Sequence, residues 1–238
     1  MCQTIEKMKA MSQKIRCQIF VFVVTFFLAS PVLARPTLLE LYTSQGCSTC
    51  PMGEEVVAEL NERDDFFALS FHVDYWDRLG WKDPLAKPKF TQRQDGYRKV
   101  LDNSNLYTPQ AVLDGVDDTN AAWAWRVKML AHGIREGQVD IPMTLHEGLL
   151  RVGGYDLKAP ADIWFVTYNP KEKTDIKAGE NKGRVMNSVN VVRSLEKLFV
   201  WNGEATNIYL PKVKNAGERV AVIIQEPHLG KVLGLYHQ

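Results

Sequence analysis

Two cysteines with two residues between them, Cys47 and Cys50, form the part of the sequence with the most specific chemistry. The thiolate of one cysteine in such a pair can attack a disulfide, and the second cysteine can then resolve the mixed disulfide. An apolar segment, Pro36 to Thr43, predicts a buried strand before the pair, and apolar residues at helical spacing follow it as far as Asn61. Because Pro51 suits the first turn of a helix, we expect the pair at a helix N-terminus, where the helix dipole lowers the pKa of Cys47.

A Cys-x-x-Cys pair also serves as a structural disulfide or as a metal site. A disulfide that closes a four-residue loop stabilises a fold by only about 1.9 kcal/mol, and so short a loop makes the bond labile. Structural zinc usually needs four ligands, and residues 35–238 contain no second cysteine pair and no His-x3-His spacing. Two thiolates with a histidine suit Cu(I). We therefore favour redox exchange with Cys47 and Cys50 as the catalytic residues, expect no resident metal or cofactor, and keep a Cu(I) metallochaperone as an alternative.

The first 34 residues have the layout of a secretory signal peptide. Basic residues precede an apolar run, Ile19 to Leu28, and small residues follow up to Ala34. The run has about ten residues, whereas a membrane-spanning helix needs about 20. We predict cleavage before Arg35 and export to the periplasm or out of the cell, into an oxidising compartment. After cleavage no membrane segment is expected, and the Cys-x-x-Cys pair holds the only cysteines.

The composition is that of an ordinary globular protein. Hydrophobic residues make up 45% and charged residues 24% of the sequence, a balance that supports an apolar core and argues against disorder. The formal net charge of +1 gives no electrostatic basis for binding nucleic acid. We therefore expect the partner to be a protein that carries a disulfide or a thiol, or a small thiol. Nothing in the sequence indicates an oligomeric state.

Two segments resemble the thioredoxin superfamily. Leu41 to Cys50 (Leu-Tyr-Thr-Ser-Gln-Gly-Cys-Ser-Thr-Cys) is similar to the active-site approach of glutaredoxins, and Tyr107 to Gly115 resembles the segment that carries the superfamily's cis-proline. The resemblance implies that Thr108 and Pro109 form a loop beside the cysteines. It also implies a cis peptide bond between them and backbone contacts from this loop to the substrate.

The two residues between the cysteines, Ser48 and Thr49, depart from the best-known members of that superfamily. They match neither the Gly-Pro of thioredoxin nor the Pro-His of the strong periplasmic oxidant. The dipeptide tunes the redox potential in the superfamily, so the direction of electron flow stays open. We assign Ser48 and Thr49, with Thr108 and Pro109, to the substrate-binding surface.

The sequence offers several candidates for a proton relay. Thioredoxin has a buried aspartate six residues before its first cysteine, and Leu41 occupies that position here. Glu40 is next to it on the predicted strand, and His72 and Asp74 lie at the end of a second predicted strand. Each of the three could move a proton during exchange, and each could equally be a solvated or hydrogen-bonded residue.

A narrower resemblance is to an uncharacterised bacterial family described as secreted and thioredoxin-like. It rests on the segments Tyr42 to Pro51, His72 to Asp77, Gly80 to Pro84 and Asn190 to Arg193, and it covers nearly the whole chain after residue 34. This resemblance implies export and the fold, but no established substrate. The aromatic residues between Asp74 and Trp81 either form a rim for a partner or pack into the protein's own core.

The predicted elements give a fold class and a division into domains. Their order over Thr37 to Ile134, β-α-β-α-β-β-α, matches the thioredoxin fold, and short alternating strands after about residue 140 are typical of a small β-sandwich. We therefore predict an α/β thioredoxin-like domain at residues 35–137, followed by a smaller all-β domain at residues 138–238. Residues 171–182 are expected to form a solvated loop, and no catalytic residue is expected in the second domain. A non-catalytic binding module that keeps the fold is the second alternative.

Overall fold

The fold is built around one large sheet of mixed strands. The computed structural model describes residues 35–238, so the signal peptide predicted at residues 1–34 lies outside the described residues. The strands are β1 Thr37–Thr43, β2 Phe66–His72, β3 Gln110–Leu113, β4 Asp117–Asn120, β5 Met143–His146, β6 Leu149–Val152, β7 Ala161–Asp175, β8 Val185–Trp201, β9 Thr206–Tyr209, β10 Arg219–Gln225 and β11 Val232–His237. The α-helices are α1 Cys50–Asn61, α2 Pro88–Val100 and α3 Ala124–Arg135. Eight strands form the large sheet in the order β11-β10-β7-β8-β2-β1-β3-β4, and β5-β6-β9 form a second sheet.

The centre of the large sheet, β1 and β2, is buried on both faces. All seven residues of each strand are buried, and the two strands pair in parallel with Thr37 opposite Phe66. One face packs against α1 and α3 through Val57 and Val127, and the other face packs against α2 through Phe90. Parallel strands covered on both faces have continuous apolar runs, which is the pattern that predicted β1.

The predicted fold class, a thioredoxin-like α/β domain followed by a smaller all-β domain, is wrong. The described chain is mostly β, and strands from both halves of the sequence share the eight-stranded sheet. β8 pairs in parallel with β2 at Ser70 and Val191, and β7 and β8 form one hairpin with strands of 15 and 17 residues. Without β8, the buried strand β2 would have an unpaired edge. The elements up to α3 follow in the predicted order, but the sheet that they build continues into the second half of the chain.

The second sheet packs against β7, β8, β10 and β11 of the large sheet, and it is not half of a separate sandwich. Leu150 and Val152 of β6 share one core cluster with Ile163, Trp201 and Ile224 of the large sheet. The residues that the structure describes lie in one compact unit. None of the helices in residues 35–238 is long and apolar enough to cross a membrane.

The C-terminal ends of β1 and β2 and the N-terminal end of β3 lie side by side at one end of the large sheet, and they position the predicted site. The parallel strands β1 and β2 end side by side, with Thr43 opposite His72. β3 runs antiparallel to β1 and begins with Gln110 opposite Tyr42. The loop from β1 to α1 therefore starts beside the end of β2 and beside Pro109, which precedes β3.

Candidate dithiol site

The two cysteines lie on the short loop that joins β1 to α1. The Cys47 N–H donates to the Ser44 carbonyl and the Cys50 N–H donates to the Cys47 carbonyl, each at 3.2 Å. Cys50 is the first residue of α1, so Cys47 precedes the helix by three residues. Neither cysteine is in a disulfide, and both side chains are buried, with 1% of Cys47 and 0% of Cys50 exposed. Ser48 lies at the exposed tip of the loop.

The loop before β3 lies against the first cysteine. The peptide bond between Thr108 and Pro109 is cis, as expected from the sequence. Cys47 Sγ is 3.9 Å from the Thr108 carbonyl oxygen and 3.4 Å from Thr49 Oγ1. The structure therefore brings Thr49, Thr108 and Pro109 together with the cysteines, whereas Ser48 is exposed beside them.

The two thiols have opposite pKa shifts. Hydrogen bonding from Cys50, supported by contacts with Thr108 and Thr49 and opposed by burial, lowers the pKa of Cys47 to about 6. Burial, followed by the interaction with Cys47, raises the pKa of Cys50 well above the ordinary thiol value. At neutral pH, Cys47 is therefore a thiolate and Cys50 a thiol, which is the division of labour that an attacking and a resolving cysteine need.

Two tryptophans of the aromatic segment hydrogen-bond to the site. Trp76 Nε1 donates to Thr108 Oγ1 at 2.8 Å, which leaves the Thr108 hydroxyl proton free for donation elsewhere. The Trp76 backbone and Cβ also pack closely on Gly46, where an added Cβ would lie 3.3 Å from each. Trp81 Nε1 donates to Gln45 Oε1 at 3.0 Å. The aromatic segment thus packs against the protein itself and supports the loop that carries Cys47.

His72 lies in a buried cluster with two carboxylates. Its Nδ1 is 2.7 Å from Asp83 Oδ2, and its Nε2 is 3.9 Å from Glu54 Oε1. Burial acts to lower the pKa of His72, but the charges of Asp83 and Glu54 outweigh it, so the pKa lies above its usual value. Glu54 Oε1 also accepts from Thr43 Oγ1 at 3.0 Å. Within residues 35–238, no group of three or more His, Cys, Asp and Glu side chains is arranged to hold a metal ion.

Glu54 is a candidate functional residue that sequence reasoning missed. From the sequence it is only an acidic residue in the first turns of a helix, where it weakly opposes a thiolate. In the structure Cys50 and Glu54 are both buried on the same face of α1, and burial raises the pKa of Glu54 against the opposing charge of His72. The signal available in the sequence was the spacing of four residues from Cys50, which places two side chains one above the other on a helix.

The other two relay candidates, Glu40 and Asp74, are not brought to the cysteines by any contact in the structure. The Glu40 carboxylate binds Arg93 through both oxygens at 2.7 Å, on the face of the sheet that packs against α2. Asp74 Oδ1 accepts from Thr91 Oγ1 at 2.6 Å, also toward α2. The Glu40 carboxylate therefore connects α2 to the sheet, and the Asp74 carboxylate connects α2 to the loop after β2.

The turn between β7 and β8 also reaches the cysteine loop, although the sequence predicted a solvated loop at residues 171–182. β7 continues to Asp175, and the side chain of Asn181 is fully buried. Asn181 Nδ2 donates to the Gln45 carbonyl at 2.9 Å and to the Cys47 carbonyl at 2.7 Å. A residue 134 positions away in sequence thus contacts the backbone of Cys47.

Comparisons with known proteins identify a family but no activity. No curated protein matches the chain. Among solved structures, protein AGR_C_4864 from Agrobacterium tumefaciens is 27% identical with a TM-score of 0.73, over 86% of this chain and 94% of its own. HBP35 of Porphyromonas gingivalis is 14% identical with a TM-score of 0.57, over 86% of this chain and 75% of its own, a likeness of fold alone. Because residues 38–225, which include both cysteines and the Thr108–Pro109 loop, match the family described as "Protein of unknown function (DUF1223)", the chain belongs to that family.

Proposed function

We propose that this protein is an exported thiol–disulfide oxidoreductase that exchanges disulfides through Cys47 and Cys50. The observation that carries the proposal is the geometry of the pair: Cys50 begins α1, and Cys47 Sγ lies 3.4 Å from Thr49 Oγ1 and 3.9 Å from the Thr108 carbonyl oxygen. The lowered pKa of Cys47 and the raised pKa of Cys50 agree with it. The resemblance of the Cys-x-x-Cys and Thr-Pro segments to the thioredoxin superfamily supports the same chemistry. Export rests on the signal peptide expected at residues 1–34.

The exchange proceeds in two balanced steps. The Cys47 thiolate attacks one sulfur of a substrate disulfide, a new S–S bond forms, and the other substrate sulfur leaves as a thiolate that takes a proton from solvent. Cys50 then gives up its proton and attacks the Cys47 sulfur, and the second substrate sulfur leaves and is protonated in turn. The substrate disulfide gains two electrons and the Cys47–Cys50 dithiol loses them. The reverse sequence oxidises a substrate dithiol.

The exposure of the loop indicates the side from which a substrate approaches. Cys47 itself is 1% exposed, whereas Ser48 and Thr49 are exposed. The Thr108 carbonyl oxygen, 3.9 Å from Cys47 Sγ, offers the substrate backbone a hydrogen-bond acceptor next to the attacking sulfur. We infer that the substrate binds across Ser48, Thr49 and the Thr108–Pro109 loop, whether it is a protein or a small thiol.

The buried carboxylate of Glu54 is the candidate acceptor for the proton that Cys50 releases. Glu54 lies one helical turn after Cys50 on the same buried face, and its raised pKa suits it to take up a proton. His72 lies on its other side, between Glu54 and Asp83. Of the three relay candidates from the sequence, His72 is therefore the one that we retain, acting through Glu54.

Trapping of a mixed disulfide tests the proposal. The Cys50→Ala variant of the full chain, produced in the exporting bacterium, should accumulate adducts at Cys47 that a reducing agent releases, because the resolving thiol is missing. The Cys47→Ala variant is the matched control and should form none. Equal absence of adducts in both variants would overturn the proposal, and stoichiometric Cu(I) binding by the wild-type pair in that case would favour a metallochaperone.

A further inference from the structure

Asn181 is a buried amide within an otherwise exposed polar turn. Its neighbours Lys182 and Gly183 are exposed, whereas Asn181 is 0% exposed. The turn is closed on itself, because the Ile176 N–H donates to the Arg184 carbonyl at 2.9 Å. Burial of an amide is unfavourable unless the amide is hydrogen-bonded. Two hydrogen bonds from Nδ2 hold Asn181 in place, whereas its Oδ1 is buried without a partner among the described residues.

Both of those contacts are to the backbone of the cysteine loop. Nδ2 donates to the carbonyl oxygens of Gln45 and Cys47, which bracket Gly46. Only the nitrogen of the amide can donate to a carbonyl, so the orientation of this side chain is determined. The Cys47 carbonyl also accepts the Cys50 N–H at 3.2 Å. One carbonyl thus connects the hairpin turn to the start of α1.

The position of that carbonyl fixes the groups that face the Cys47 sulfur. The peptide unit is planar, so a fixed Cys47 carbonyl also fixes the direction of the following Ser48 N–H and the position of the Ser48 Cα, from which the chain continues to Thr49. Thr49 Oγ1 lies 3.4 Å from Cys47 Sγ. The hydroxyl and backbone N–H of Thr49 both stabilise the thiolate form.

The same loop is held from a second side through Gln45. Its side chain donates to Thr174 Oγ1 of β7 at 3.0 Å, and its backbone N–H donates to Asp83 Oδ2 at 2.9 Å. Trp81 donates to its Oε1 at 3.0 Å. Gln45 is therefore held in place by contacts that do not involve Asn181. The Cys47 carbonyl, by contrast, is held by the side chain of Asn181.

We propose that Asn181 is a positioning residue for Cys47, and that its amide holds the Gln45 and Cys47 carbonyls so that the Thr49 donors stay on the Cys47 sulfur. The inference deepens the proposed exchange and rests on it, since positioning a thiolate matters for a nucleophilic cysteine. Asn181 touches neither the sulfur nor a substrate and acts only through the backbone. It stabilises the thiolate form of Cys47. It thereby increases the rate of the first attack at mildly acidic and neutral pH.

The pH profile of Cys47 alkylation by iodoacetamide tests this role in the full chain. Because Cys47 and Cys50 lie in the same peptide, fragmentation of that peptide in tandem mass spectrometry assigns the label to one sulfur or the other. Asn181→Ala removes the donor with most of the side chain, Asn181→Leu keeps a similar volume but has no donor, and Lys182→Ala on the exposed neighbouring residue is the matched control. We expect both Asn181 variants to react roughly 5- to 10-fold more slowly at about pH 5.5 and within about threefold of wild type at about pH 9, as a raised thiol pKa requires. Lys182→Ala should follow the wild-type profile.

The outcome is separable from that of the proposed function, because iodoacetamide involves no disulfide substrate. Profiles of both Asn181 variants that coincide with wild type would overturn the inference. So would a loss of reactivity of the same size at both pH values, which a general disruption of the site produces. In the wild-type protein, NMR should show slow solvent exchange of the Asn181 side-chain amide, and free exchange would overturn the inference without any variant having to fold.

Discussion

Gly53 of α1 lies directly against Pro109, with no room for a side chain between them. A Cβ at residue 53 would lie 2.5 Å from Pro109 Cβ and 2.7 Å from Pro109 Cγ, far inside the optimal separation of two carbon atoms, about 3.5–4.0 Å. The contact joins the helix that begins at Cys50 to the loop whose carbonyl faces Cys47. The spacing between these two parts of the site therefore depends on the absence of a side chain at residue 53.

Substitution of Gly53 by alanine should destabilise the fold, although alanine normally favours a helix. The gain in helix propensity is about 1 kcal/mol, whereas the overlap with Pro109 forces a backbone shift that costs about 1–3 kcal/mol or more. Urea unfolding of Gly53→Ala measures the balance. Gly133 of α3 has no atom within 4 Å of an added Cβ, so Gly133→Ala should stabilise the protein by up to about 1 kcal/mol. A Gly53 variant as stable as the Gly133 variant would contradict the close contact.

Cys47 should react with alkylating agents far below the pH at which an ordinary thiol reacts. Its pKa is lowered to about 6, so the rate of carbamidomethylation at Cys47 should rise through about that pH and level off above it. Cys50, whose pKa is raised well above the ordinary thiol value, is a thiol at these pH values and should stay unmodified in the folded protein. Tandem mass spectrometry after timed exposure to iodoacetamide measures both rates, because fragment ions distinguish a label on Cys47 from one on Cys50 in their shared peptide. A midpoint near the ordinary thiol pKa, about 8.5, would argue against Cys47 as the nucleophile.

Glu54→Gln should slow resolution of the mixed disulfide more than its formation. The glutamine side chain cannot take up the proton that Cys50 loses, and general base catalysis by a positioned carboxylate is worth about 100-fold or more in typical enzymes. We expect the lifetime of a mixed disulfide between Cys47 and a cystine-containing peptide to increase at least roughly tenfold. Acid quenching and mass spectrometry follow the adduct.

The neighbouring glutamate supplies the control for that measurement. Glu55 is exposed on α1, next to the buried Glu54, so Glu55→Gln removes the same charge from the same turn of the helix. Its adduct should resolve at the wild-type rate. Equal adduct lifetimes in the Glu54 and Glu55 variants would show that Glu54 does not accept the proton from Cys50. That result would not contradict the disulfide exchange by Cys47 and Cys50.

Asp114→Asn should strongly destabilise the fold. Asp114 binds Arg35 through two oxygens at 3.0 and 3.1 Å and accepts the Leu38 N–H at 2.9 Å, and both charged side chains are buried. Loss of the carboxylate charge leaves the Arg35 guanidinium buried and unpaired, which costs about 3–5 kcal/mol. Asp95 makes comparable contacts with Arg98 and Lys99 on the surface, and Asp95→Asn should cost less than about 1 kcal/mol. Chemical denaturation measures the free energy of unfolding of both variants. A similar decrease in the two variants would contradict the importance of the buried Asp114–Arg35 pair.

The parts of the site that are local in sequence were predictable. The apolar run of β1, Pro51 in the first helical turn and the cysteine spacing together predicted a dithiol at a strand-to-helix junction. The Thr108–Pro109 segment was assigned from its resemblance to a known loop, and it does contact Cys47. The strand-to-helix junction depends on residues that are close in sequence, where propensity and turn chemistry decide the structure. The contact between Thr108 and Cys47 spans 61 positions and was expected only from the resemblance.

The parts that depend on long-range pairing were not predictable. Alternation at residues 189–192 indicated a strand, but it carried no information that this strand pairs with Ser70 of β2. β8 also extends through Glu196 and Lys197, whose charges hid its length. The importance of Asn181 and Glu54 comes from their positions in the folded structure. A single asparagine or glutamate in a polar segment has no periodic pattern from which that position can be predicted. The error in fold class has the same origin.

The contact between Asn181 and the cysteine loop can form only late in synthesis of the chain. Cys47 leaves the ribosome 134 residues before Asn181, and at about 5–20 residues per second this interval lasts roughly 7–27 s. For that time the nascent chain has neither the hairpin turn that contacts the backbone of the cysteine loop nor β8, the strand that pairs with β2. The cysteine loop therefore gains its two hydrogen bonds from Asn181 only after most of the chain has been made.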